Sequence, residues 1–193
     1  RSTIVPMTDD RVATLVETPS GTLAFQDYFV ARRQADEVTG VRLTGADTAR
    51  PAPGVLEAIA RAEAIVFCPS NPFVSIGPIL AVPGVAAAIA ASPAPVVAIS
   101  PIVGGQAIKG PAAKMFASLG FEPSALAVAR HYLGQIDGLV IDEVDAALGP
   151  EIAAHGIRPL VTRSVMGGLD DRMRLAAETV AFAHDWAPVG SGA

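Results

Sequence analysis

Residues 64–78 read A-I-V-F-C-P-S-N-P-F-V-S-I-G-P, and residues 96–115 read V-V-A-I-S-P-I-V-G-G-Q-A-I-K-G-P-A-A-K-M. Each stretch opens on a short apolar run, too brief for a buried helix and rich in β-branched residues, and passes at once into Pro, Gly and Ser. Each therefore predicts a buried strand, Ala64–Cys68 and Val96–Ser100, that leaves its sheet through a loop leading to helical turns.

Outward from this pair the same rhythm continues. Strand Val41–Thr44 and helix Val55–Ala62 precede it, and helical turns through Ile79 and Ala90 join its two strands. Beyond it, Pro111 suits the first turn of a helix that Gly120 ends, and Ser124 caps a helix Ala125–Leu133 closed by Gly134. Strand Leu139–Ile141, a helix near Ala146–Ala154, strand Arg158–Thr162 and helix Asp170–His184 complete the series. Strands alternating with helices of this length predict an α/β fold with a mostly parallel sheet and helices on both faces. The first residues read differently: strands Ser2–Val5 and Val12–Thr18, a Pro19-Ser20-Gly21 turn and a strand around Leu23 form an N-terminal edge hairpin. Gln26–Ala35 reads as a short surface helix, so residues 12–40 make a hairpin and small helical insertion on one domain spanning 1–193. Ala187–Ala193 reads as a frayed tail.

Composition narrows the functions open to such a domain. With 51% hydrophobic and 17% charged residues in 193, the chain can bury a sizeable core. A net charge of −5 without a Lys/Arg cluster argues against nucleic acid as a partner. The longest apolar stretch, Ile76–Ala91, is broken by Pro78, Pro83 and Gly84, which argues against a membrane span. No secretory pattern opens the sequence, so the cytoplasm is the expected location. A single cysteine, Cys68, and three scattered histidines present no soft-metal site, whereas a hard ion such as Mg²⁺ held by carboxylates stays open.

In a parallel sheet, ligands meet the loops leaving the C-terminal strand ends. The loop after Cys68 carries Ser70, Asn71 and Ser75, hydroxyl and amide groups beside free N–H groups that suit an oxyanion. It reads equally as a Pro-rich turn in which Ser70 and Ser75 cap helices. The loop after Ser100 holds Gly104, Gly105 and both lysines of the chain, Lys109 and Lys114, while every other basic residue is Arg. That placement favours a point-charge phosphate contact at Lys109; Lys114 also suits the outer face of its helix. Asp9, Asp10, Asp137, Asp142 and Asp145 are open to metal ligation or to capping. No G-x-G-x-x-G or Walker motif occurs.

The run Ser100–Lys114, together with P-S-N-P at 69–72, Ala129–Asp142, Pro6–Asp10 and Phe25–Val30, resembles the 2-phospho-L-lactate transferases of deazaflavin coenzyme biosynthesis over nearly the whole chain. The resemblance implies a Rossmann-like core, a homodimer, Mg²⁺ dependence, a guanosine diphosphate-linked donor bearing lactate or enolpyruvate, a deazaflavin acceptor and GMP as product. It implies phosphate positioning by Ser70, Asn71 and Ser75, close backbone approach at Gly104 and Gly105, charge neutralisation by Lys109 with Lys114 nearby, and a metal or acceptor contact at Asp9. Cys68 stands where the family usually has Gly. The family's glycine-rich opening has no counterpart here, so the chain is expected to be the later two-thirds of such an enzyme. A nucleotide-sugar-binding regulator sharing the core is the competing expectation.

Overall fold

The computed structural model describes residues 2–185. Its core is a four-stranded parallel sheet of β4 (Ile65–Phe67), β5 (Val96–Ile99), β8 (Gly138–Asp142) and β9 (Arg158–Thr162), in the order β4-β5-β8-β9. Every residue of β5 and β8 is buried, which is why both read as runs without polar alternation. Val96, Ala98, Leu139 and Ile141 face one way, onto α3 (Val85–Ala91), α5 (Ala125–His131) and α6 (Gly149–Ala154). Val97, Ile99 and Val140 face the other way, onto Leu175, Phe182 and Ala183 of α7 (Leu169–His184). The Phe182 ring lies so close to β8 that a Cβ on Gly138 would stand 2.6 Å from it, so any larger residue there would force the ring to move.

Local signals place the helices as expected. Ser124 accepts the Ala127 N–H and starts α5, and Gly120 closes α4 (Ala112–Ser118) with φ +84°. Between β4 and β5 lie α2 (Gly77–Leu80) and α3, and ahead of β4 lies α1 (Val55–Ala60). The expected helix near Ala146–Ala154 is a 3₁₀ segment, Glu143–Leu148, running into α6. Among the described residues no single helix is long and apolar enough to cross a membrane.

The sequence reading needs two corrections. Val41–Thr44 does not join the parallel sheet: within β3 (Gly40–Thr44) it pairs antiparallel with β1 (Ala13–Thr18), whose other edge takes β2 (Gly21–Ala24). The physical reason is visible in V-R-L-T, whose apolar-polar alternation suits a half-solvated sheet, whereas a strand covered on both faces is apolar throughout. Ser2–Val5 forms no strand; Ile4 is 93% exposed and has no sheet edge to pair with. The helical insertion is a wide π-type turn, Asp27–Ala31, whose buried Tyr28 packs with Val16, Val38 and Met115. The expected tail, 187–193, lies outside the described residues.

Candidate active site

Three loops at the C-terminal end of the parallel sheet converge on one cavity of about 560 Å³. The β4 loop contributes Pro69, Ser70, Asn71, Val74 and Ser75, and the β5 loop contributes Ser100, Val103, Ile108 and Lys109. The third loop, between β9 and α7, brings Ser164, Val165 and Met166, with Arg172 from the first turns of the helix. Phe25 and Phe29 close the cavity from the antiparallel side, their rings stacked with centroids 5.5 Å apart at 17°.

Ser70, Ser75 and Lys109 thus come together, as the sequence suggested. Lys109 is exposed, and its ammonium has no partner among the described residues. Asn71 also lines the cavity, but its side chain is occupied: Oδ1 accepts the N–H groups of Phe73 (2.8 Å) and Val74 (3.3 Å), and Nδ2 faces Met115 Sδ. It caps the helical turn Pro72–Ile76 and shapes the loop.

Gly104 and Gly105 do not line the cavity. They form the two-residue turn between β6 (Ile102–Val103) and β7 (Gln106–Ala107), with φ +56° and +76°, so left-handed hairpin geometry explains the glycine pair that had suggested phosphate approach. Lys114 also lies outside the cavity lining. Its Nζ donates to the carbonyls of Gln34 and Ala35 and ties α4 to the chain leaving the π-type turn, where Arg33 and Gln34 hold positive φ. Asp9 is exposed and apart from the cavity lining, in the segment where Thr8 bridges to Pro51 and Asp10 Oδ2 accepts the Arg50 N–H.

Two acidic residues at and just beyond the end of β8 serve the loops. Burial disfavours the Asp142 carboxylate, but N–H groups of Ser164, Val144 and Val165 and the Ser164 hydroxyl outweigh it and hold the carboxyl below its ordinary range. Asp145 accepts the Gly104 N–H at 3.0 Å. Asp145 in the 3₁₀ segment thereby secures the hairpin, and Asp142 at the end of β8 secures the β9–α7 loop. Among the described residues no three His, Cys, Asp or Glu side chains gather to hold a metal. Asp10, Asp142 and Asp145 each accept backbone N–H groups instead.

Sequence reasoning missed Ser164, Val165, Met166, Arg172 and the Phe25/Phe29 wall. Ser164, Val165 and Met166 carried a usable signal, since they follow strand Arg158–Thr162 directly; Arg172 and the phenylalanines carried none, because their approach depends on how α7 and the antiparallel sheet dock.

The family model for 2-phospho-L-lactate transferase CofD matches residues 1–158. This chain belongs to that family. Its 2-phospho-L-lactate transferase relatives include a Methanopyrus kandleri protein of that name, 37% identical over 185 residues, covering 94% of this chain and 58% of the relative. A Streptomyces griseus protein named phosphoenolpyruvate transferase is 46% identical over 187 residues, covering 94% of this chain and 59% of the relative. The chain therefore spans less than two thirds of the length of these relatives. An X-ray structure of a Bacillus halodurans protein shares the fold, with a TM-score of 0.61 at 20% identity over 91% of this chain and 61% of that one. A second crystal structure of that same protein, described as a UPF0052 family member, gives a TM-score of 0.58 at 19% identity, over 89% of this chain and 60% of that one.

Proposed function

We propose that this chain forms the substrate-binding core of a transferase that moves a phosphate-linked three-carbon acid from a guanosine diphosphate donor to the ribityl hydroxyl of a deazaflavin, releasing GMP. The observation that carries the reading is the two-sided lining of the cavity. Hydroxyls and the two cations Lys109 and Arg172 offer partners for an anionic donor, and Phe25 and Phe29 with Val74 offer an apolar wall for a ring system. The names of the relatives support the reaction class, and the higher identity to the phosphoenolpyruvate transferase favours an enolpyruvyl group over a lactyl one.

In this reaction the ribityl oxygen bonds to the phosphorus that bears the acid, and that phosphorus releases its bridging oxygen to GMP. The hydroxyl proton leaves to solvent. Such a transfer depends on in-line positioning and on neutralising charge rather than on covalent catalysis. Lys109 is assigned to the diphosphate, and Ser70 and Ser75 to orienting its oxygens. Mg²⁺ would add further neutralisation, but its ligands are not composed by the described residues, and no step is assigned to it. The family resemblance also implies a cytoplasmic homodimer, which light scattering after size exclusion and cell fractionation test.

The deciding experiment follows GMP by chromatography and the acceptor adduct by mass spectrometry, with each donor in turn. It uses the chain alone and the chain supplied with the parts of the Streptomyces griseus relative that it does not match. Adduct and GMP in equal amounts are expected from the completed protein. Deazaflavin binding without GMP release from either donor would overturn the transferase reading.

A further inference from the structure

We propose that Arg172 is the receptor for the carboxylate of the transferred three-carbon acid. The inference rests on the transferase reading and adds the group that recognises the acid. Arg172 lines the same cavity as Lys109, yet it comes from the first turns of α7, beyond the loop that β9 feeds. Two neighbouring contacts leave it available. Asp171, the nearest acid in sequence, accepts the Gly167 N–H at 2.9 Å and lies 3.8 Å from Arg174. Arg174 in turn is engaged by Glu178, Thr162 and the Arg163 carbonyl, whereas the Arg172 guanidinium has no partner among the described residues.

The loop that leads into the helix carrying Arg172 is also held in place. Asp142 binds both the N–H and the hydroxyl of Ser164, so the chain from Ser164 to the first turns of α7 leaves β9 in a defined direction beside the cavity. Chemistry then divides the two cations. The donor brings a diphosphate and a carboxylate; a compact ammonium neutralises phosphate as a point charge, whereas a planar guanidinium matches a carboxylate through two parallel hydrogen bonds. One cation of each kind faces a ligand that carries one group of each kind.

The test titrates this chain with 2-phospho-L-lactate, phosphoenolpyruvate and ethyl phosphate, which lacks the carboxylate, and reads binding by calorimetry. The wild type is expected to bind the two carboxylated phosphates roughly 10-fold or more tighter than ethyl phosphate. Arg172→Gln should bind all three alike, Arg172→Lys should recover part of the preference, and Lys109→Ala should weaken all three together. Circular dichroism checks that the variants are folded, which exposure of both side chains favours. A wild type without the preference or without binding, or a preference that survives Arg172→Gln, would overturn the assignment. GMP release judges the transferase reading separately: turnover without the preference sinks only the Arg172 role, and the preference without turnover sinks only the reaction.

Discussion

Asp142, the last residue of β8, accepts the Ser164 N–H at 2.7 Å and the Ser164 hydroxyl at 3.1 Å, joining two adjacent strand ends beside the cavity. Removing the carboxylate leaves those donors without their partner, a loss of about 1–3 kcal/mol. Asp142→Ala should lower the melting temperature by several degrees, on the order of 2–4 °C per kcal/mol in a domain of this size. Because the folded pKa lies below the ordinary 3.8, this stabilisation is complete above that value and disappears as pH falls through the folded pKa. Melting curves at neutral pH should therefore separate wild type from Asp142→Ala, and curves recorded in strong acid should not. An equal gap at both would rule out the carboxylate as the cause.

Lys109 and Lys114 should part company. Loss of the Lys109 ammonium removes a charge-assisted contact worth roughly 1.5–3 kcal/mol, or about 10- to 150-fold in kcat/KM. Lys109→Ala should keep its melting temperature, since the ammonium has no partner among the described residues. Lys114→Ala should show the converse, a lower melting temperature from loss of its contacts to Gln34 and Ala35 with a smaller effect on turnover. A catalytic loss in the two variants of equal size would return Lys114 to the substrate.

Asn71 is a test of loop shape. Asn71→Asp retains an oxygen for the Phe73 and Val74 N–H groups, whereas Asn71→Ala leaves both without their acceptor. A lost N-cap costs about 0.5–2 kcal/mol. Thermal melts should rank wild type, then Asp, then Ala, and KM for the donor should follow the same order. Direct contact between the amide and phosphate would instead make Asn71→Asp the worse binder, through charge repulsion.

His131 is exposed on one side but sets its ring edge-on to Phe73, Phe116 and Tyr132, and this partial burial moves its pKa below the ordinary 6.5. The unfolded chain then takes up the proton at a higher pH than the folded one. Stability should fall as pH drops below about 6.5, the full penalty arriving below the folded pKa. His131→Phe should flatten the decline between pH 7 and the folded pKa in urea titrations. A decline unchanged by the substitution would place its origin elsewhere.

The alternation of buried strands and capped helices is legible in the amino-acid order alone, because local forces write that pattern. Strand β5 is apolar in every position since both its faces are covered, and Ser124 precedes α5 since a helix start needs an acceptor for its free N–H groups. The same end-of-strand logic located Ser70, Ser75 and Lys109 in the cavity. Tertiary structure decided the rest. Gly104 and Gly105 look alike in sequence whether they cradle a phosphate or turn a hairpin; the pairing of Val103 with Gln106 selects the hairpin. Asn71 offers the same amide to a ligand or to its own backbone, and the direction of the chain after Pro72 assigns it to the backbone. Phe25 and Arg172 stand 147 positions apart on separate structural units, yet both border one cavity. Nothing local encodes that meeting, since it arises only when the antiparallel sheet and α7 dock around a common core.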